Sequence, residues 1–236
     1  SLWLDALGRR MEPPALPGFD TMATLKRILA TGQDHSWFIT TRAIAAKEFA
    51  LSGSEQNPDL TEGGWLDVIR TRLGGQPTPN VQAFLDRGAD FVVAPDLETL
   101  VAGMNRIAAI PLDPAAIRAQ VEARDRQIAN RFAKDAQVVA ILGARAYRGD
   151  RLIRVARPHR MLDPAFGPLV AVKLHILTRK TLGGIATDDT GAVLDAEGAR
   201  IDGLFACGEA AGFGGGGYHG HSALEGTFLG GCLFSG

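Results

Sequence analysis

Hydrophobic and polar positions divide the chain into stretches of different character. An apolar run, Leu2-Trp3-Leu4, reads as a short strand, followed by a turn at Gly8 and a loop with Pro13, Pro14 and Pro17. From residue 20 to about 130 the apolar spacing becomes helical. Asp20 caps a helix over Thr21–Ala30, and Thr41–Leu51 forms a second, stopped by Gly53. A polar loop then leads to a third helix carrying Trp65, Leu66, Val68 and Ile69. Thr78-Pro79 and Asp113-Pro114 each join a capping side chain to a proline at the first helical position, where the missing N–H costs nothing. Gly88 ends the helix begun at Pro79, and Asp96 opens another at Leu97.

Beyond about residue 136 the pattern predicts strands. Gln137–Leu142, Arg151–Ala156 and Pro168–Thr178 are rich in Val, Ile and Leu. Gly184–Thr187 and Ala192–Leu194 flank Asp188-Asp189-Thr190-Gly191, a hairpin signal. Asp202–Phe205 reads as a buried strand that runs into Gly208-Glu209, followed by a glycine-rich loop and a final apolar helix from Gly226. The implied architecture is a mainly helical module, residues 20–165, inserted between segments 1–19 and 166–236 of another domain. A strand interrupted in this way must re-pair to satisfy its backbone groups, so the two flanks are expected together. Both ends read as cuts in a longer chain: the first residue is not Met, and the last lies inside a glycine-spotted apolar segment.

The 236 residues, 46% hydrophobic and 22% charged with a net charge of −1, have ordinary globular composition, with no basic stripe for nucleic acid. The longest apolar stretch, Gly167–Leu177, is too short to span a bilayer and contains Lys173 and His175. Cys207 and Cys232 lie in apolar stretches and read as buried reduced thiols, and without a signal peptide the default location is the cytoplasm. His219-x-His221 has no third ligand at a definite spacing, so no metal site is expected. His35, His159 and His175 read as structural or surface residues; Arg124-Asp125 and Arg151/Arg154/Arg157 read as solvated charges.

Gly212-Phe213-Gly214-Gly215-Gly216-Gly217 matches G-x-G-x-x-G formally, but no helix of normal length follows at once and too little chain remains for a ribose-gripping acid. What the glycines do allow is close backbone approach to a flat ligand or a phosphate. Tyr218 to Glu225 then concentrates a phenol, two imidazoles, a hydroxyl and a carboxylate ahead of a helix whose N–H groups suit a developing negative charge.

Three segments carry a resemblance: Thr181-Leu182-Gly183-Gly184-Ile185-Ala186-Thr187-Asp188, Gly203-Leu204-Phe205-Ala206-Cys207-Gly208-Glu209-Ala210, and Gly217-Tyr218-His219-Gly220. In this order they resemble the C-terminal signature of the fumarate reductase/succinate dehydrogenase flavoprotein superfamily. Within it the chain is most similar to bacterial FAD-binding dehydrogenases akin to 3-ketosteroid dehydrogenases. The resemblance implies an α+β chain, part of an α/β FAD-binding fold: a capping and substrate domain (20–165) inserted into an incomplete flavin-binding domain (1–19 and 166–236). The N-terminal dinucleotide-binding unit of that family has no counterpart here. FAD is therefore implied for the full-length enzyme and is expected to be absent from this chain alone. Gly183, Gly184, Gly208, Glu209, Glu225, Gly226, Thr227, Phe228 and Leu229 fall at its cofactor-contacting positions, with Glu209 on the ribityl or ribose hydroxyls.

Fumarate reductases carry H-H-T-M-G-G and H-G-x-N-R, whose His and Arg grip a dicarboxylate. Here Lys180 and Ala223 stand in those places, and loss of a bidentate Arg contact argues against fumarate or succinate. Gly217-Tyr218-His219-Gly220-His221-Ser222 is similar instead to the T-Y-P-G-A-G segment of ketosteroid dehydrogenases, with His219 for Pro and Ser222 for the last Gly. That likeness makes Tyr218, His219 and Ser222 the catalytic candidates, with the Tyr218 hydroxyl and the Ser222 N–H polarising a ketone. Tyr147 is a candidate substrate contact from the cap. Two alternatives stay open: a dicarboxylate flavoenzyme using Lys180 and Arg179, and a capping module inert as isolated. The expected partners are a small-molecule substrate and a second copy of the chain over exposed apolar surface.

Overall fold

The computed structural model describes residues 1–13, 21–49, 75–153, 155–176 and 184–211. They fall into two compact units, Ser1–Arg10 with His35–His175, and Met11–Asp34 with Ile176 onward.

The first unit is built on a four-stranded antiparallel sheet of β1 (Leu2–Asp5), β2 (His35–Thr41), β3 (Phe91–Ala94) and β4 (Leu169–His175), in the order β1-β2-β4-β3. Its helices are α2 (Arg42–Glu48), α3 (Pro79–Arg87), α4 (Leu97–Ile107), α5 (Pro114–Ile128), α6 (Ala136–Gly143) and α7 (Arg148–Ile153). Leu2, Leu4, Trp37, Ile39 and Ala171 face Leu100, Met104, Ile117 and Val121 of α4 and α5 in one core. On the opposite face Val81 and Leu85 of α3 pack on Val170 and Val172, with Phe38 and Phe91 at the margin. Covered on both sides, β2 and β4 form the buried centre of the unit.

Asp20 and Gly53 lie outside the described residues, and the other capping signals act as expected. Thr78, Asp96 and Asp113 accept from Val81 N, Thr99 N and Ala115 N, and Pro79 and Pro114 open their helices. Gly88 caps α3, and Gly8 turns the chain at φ +75°. The helix at Thr21–Leu29 (α1) forms, as do β1 and β4. The expected helix around Trp65–Ile69 lies outside the described residues.

Several expectations are corrected. Gln137–Leu142 falls on α6, and Arg151–Ile153, the start of the second expected strand, is the end of α7. Asp135 accepts from Val138 N, and this local cap sets a helix where β-branched composition suggested a strand. The Gln137 side chain accepts from Trp3 N and donates to Trp3 O, at 3.3 and 3.2 Å, so a helix residue occupies the outer edge of β1. β2 and β3 lie inside the stretch read as helical. β1 and β4 share the sheet but do not pair, because β2 stands between them.

In the second unit, β5 (Ala192–Leu194) and β6 (Arg200–Phe205) form a two-stranded antiparallel ribbon. β6 is exposed along its whole length, not buried, and no second layer among the described residues covers the faces of this ribbon. Cys207, just beyond it, is likewise an exposed thiol. No helix among the described residues is long and apolar enough to cross a membrane.

Candidate functional site

Asp188 organises the turn before β5. Its Oδ1 accepts from Thr190 N, Thr190 Oγ1 and Ala192 N, and Arg200 pairs with its other oxygen. These hydrogen bonds, led by the Thr190 hydroxyl, hold its carboxyl below the usual range. Thr187 bridges Val193, and Leu194 N donates to Ala186 O at 2.8 Å. The incoming segment 184–187 is thereby laid along β5.

The same segment meets the end of β6. Ile185 N donates to Ala210 O at 2.9 Å, and Ala206 N donates to Gly191 O at 2.9 Å. Gly208 adopts φ +60°, a left-handed conformation open to glycine, and starts a 3-10 turn over Gly208–Ala211 that contains Glu209. Two of the three signature segments are thus joined by a backbone hydrogen bond between residues twenty-five apart, Ile185 and Ala210. Gly184 and Gly208 bring no side chain to that junction, and a glycine-lined turn of this kind fits the close approach a cofactor requires. Gly183, Tyr218, His219, Ser222, Glu225, Gly226, Thr227, Phe228 and Leu229 lie outside the described residues, as do Arg179, Lys180 and Ala223.

The first unit holds a polar centre that the sequence reading misplaced on the surface. Arg124 is 1% exposed and Asp125 6%. Arg124 Nη1 donates to Asp125 Oδ1 at 2.8 Å and to the His159 carbonyl at 2.5 Å. Asp125 also accepts from Met161 N at 2.8 Å and Leu162 N at 2.9 Å. Burial lowers the Arg124 pKa, partly offset by Asp125. The signal was present in the spacing: Ile117, Val121 and Arg124 fall on one stripe of α5, and a charge on a core stripe is buried with a partner.

His159 stacks on Phe166, with ring centroids 3.7 Å apart and planes 10° from parallel. Its Nδ1 lies 2.8 Å from Arg157 O and its Nε2 2.9 Å from Thr41 Oγ1. The carbonyl can only accept, so Nδ1 carries the proton and Nε2 accepts from the Thr41 hydroxyl. Thr41 Oγ1 in turn accepts from Ile44 N, which caps α2. Burial lowers the His159 pKa and keeps the ring neutral. A cavity of about 460 Å³ opens beside this centre, lined among others by Glu122, Asp125, Arg126 and Arg160. Asp125 already serves three donors, from Arg124, Met161 and Leu162, which gives the cluster a structural role. Tyr147 stands 70% exposed at the start of α7. Among the described residues no group of His, Cys, Asp and Glu could hold a metal ion.

Comparison with known proteins places these features. The FAD binding domain family model matches residues 1–229. The chain is 57% identical over 237 residues to a KsdD-like steroid dehydrogenase of Mycobacterium tuberculosis, covering 100% of this chain and 42% of the relative. It is 59% identical over 230 residues to a KsdD-like steroid dehydrogenase of Mycolicibacterium smegmatis, covering 97% of this chain and 42% of that protein. The chain thus spans less than half the length of these relatives. A solved structure, 3-ketosteroid delta1-dehydrogenase from Sterolibacterium denitrificans in complex with 1,4-androstadiene-3,17-dione, shares the fold with a TM-score of 0.53 at 19% identity, over 89% of this chain and 33% of that one. With a family match over nearly its full length, this chain belongs to the FAD binding domain family.

Proposed function

We propose that the full-length protein carrying this chain is a flavin-dependent dehydrogenase. Its substrate is a ketone-activated CH–CH group in a steroid-like or other alicyclic compound. The observation that carries this reading is the junction at which Ile185 N meets Ala210 O, which sets the segment 184–187 against the Gly208–Ala211 turn in a chain of this family. The names of the relatives support the substrate class.

Glu209 would accept from a ribityl or ribose hydroxyl, a charge-assisted bond. Gly183, Gly184 and Gly208 would let the backbone close on the cofactor. A helix from Gly226, expected from the sequence alone, would with Glu225, Thr227, Phe228 and Leu229 offer N–H groups to the part of the flavin ring that gains charge on reduction. When bound, the flavin supplies the acceptor for a hydride. Tyr218 and the Ser222 N–H would donate to the substrate ketone, with His219 beside them, and a polarised ketone makes the neighbouring C–H acidic. Residues 1–19 and 166–236 would serve the cofactor and 20–165 the substrate, with a second copy of the chain covering exposed apolar surface.

The test is expression with the residues that complete the relatives' length, followed by measurement of bound yellow cofactor and of turnover. Reduction of an acceptor dye with a 3-ketosteroid is expected. Turnover of succinate or fumarate in its place would transfer the reading to the dicarboxylate branch. A colourless protein inactive on both would leave a capping module without redox chemistry.

A further inference from the structure

We propose that the segment 131–160, which carries α6 and α7, is a docking face for an anionic lipid bilayer. Residues 131–160 contain eight Arg or Lys against two Asp, a net charge of +6 in a chain whose total is −1. Both acids are already engaged. Asp135 pairs with Arg10 and caps α6, and Asp150 also has a partner. Arg131, Lys134, Arg148, Arg151 and Arg157 are exposed, and no ion pair is made by any of the five among the described residues.

Apolar side chains stand among these charges without cover. Phe132 is 78% exposed and Leu152 63%, with Val139, Leu142 and Tyr147 also exposed. Val139 and Leu142, three positions apart on α6, are neighbours on the helix surface, 50% and 43% exposed. Exposed apolar residues mixed with Arg and Lys on short helices are the pattern of an interfacial surface. The apolar tips enter the headgroup boundary while the cations meet lipid phosphates. The segment is held in place for such a role: Lys47 Nζ donates to Leu152 O at 2.8 Å, and Arg145 Nη1 donates to Val155 O at 2.6 Å.

A bilayer suits the patch better than a nucleic acid does. Aliphatic Val139, Leu142 and Leu152 find no stacking partner on bases, whereas acyl chains accept them directly. The docking is independent of the redox reading, because it rests on charge and exposure alone.

Co-sedimentation of the purified chain, and of the longer protein carrying it, with vesicles of phosphatidylcholine alone or mixed with phosphatidylglycerol tests this. Both proteins should pellet with the anionic vesicles only, and less at high salt. Each basic residue at a membrane surface is worth roughly a fivefold change in partitioning, so R148Q/R151Q should reduce binding about twenty-five-fold. Leu152→Ser should weaken it further, and Arg87→Gln, on α3, should leave it unchanged. If R148Q/R151Q misfolds by circular dichroism, R131Q/R157Q replaces it with the same expectation. The proposal is overturned by absence of pelleting, by binding that survives the charge removal, by pelleting of the chain but not of the longer protein, or by tighter salt-sensitive binding to single-stranded RNA than to vesicles.

Discussion

Removing the Asp125 carboxylate tests whether the buried polar centre holds the first unit together. In Asp125→Ala three donors lose their acceptor at once: Arg124 Nη1, Met161 N and Leu162 N, at 2.8, 2.8 and 2.9 Å. Arg124 is too buried to reach water without moving α5, so a cation is stranded in the core. Breaking one side of a buried pair costs about 3–5 kcal/mol, and the two orphaned amides place the loss toward the upper end. Asp125→Asn keeps the shape and an acceptor oxygen, and should lose less. The assay is urea unfolding followed by tryptophan fluorescence, since Trp3 and Trp37 lie in the same unit. An unchanged m-value would assign the shift in midpoint to stability. Arg124→Met, which removes the cation, should make the second change Asp125→Ala cheaper by at least about 1 kcal/mol in a double-mutant cycle. A loss under about 1 kcal/mol for Asp125→Ala, or strict additivity in the cycle, would refute the assignment.

Three further outcomes are expected. Because burial depresses the His159 pKa below its ordinary value of 6.5, its contribution to stability is complete above that value and is lost as pH falls through the folded-state value. Urea midpoints measured from pH 8 downward should therefore fall below about pH 6.5, and His159→Gln should flatten part of that decline. In Gly103→Ala the new Cβ would stand 2.4 Å from Val92 Cγ1, so α4 must shift from β3 at a cost of about 1–3 kcal/mol; Val92→Ala should recover part of it in thermal melts. Glu209→Ala in the full-length protein should weaken flavin retention by roughly 1.5–3 kcal/mol, and unchanged occupancy after dialysis would remove Glu209 from the site.

Helix starts were legible because their signals are local. A Thr or Asp cap followed by Pro needs no tertiary partner, and Thr78-Pro79 and Asp113-Pro114 each open a helix. β2 was not legible for the opposite reason. Its sequence, His35-Ser36-Trp37-Phe38-Ile39-Thr40-Thr41, mixes polar and apolar residues on both faces, and the polar ones are buried by partners remote in sequence. Ser36 Oγ accepts from Trp3 Nε1, and Thr41 Oγ1 faces the His159 ring. Periodicity assumes that polarity marks the solvent side, and a central strand covered by two helical layers breaks that assumption.

The same distinction separates the signature segments of the second unit from the polar centre of the first. The signature segments meet through backbone: Ile185 N and Ala210 O join without help from side chains, and Gly208 takes the positive φ that glycine allows whatever surrounds it. Arg124 and Asp125 work through side chains whose environment is made by Met161, Leu162 and His159, some thirty-five residues further on. Adjacent opposite charges on a helix look solvated until the chain returns to cover them. Only the position of Arg124 on the Ile117–Val121 stripe distinguishes it from Arg118 and Arg126, which stay in solvent pairs with Glu98 and Glu122. A charge that falls in phase with the apolar positions of its helix therefore carries more information than its neighbours, and it points to a partner delivered from elsewhere in the fold.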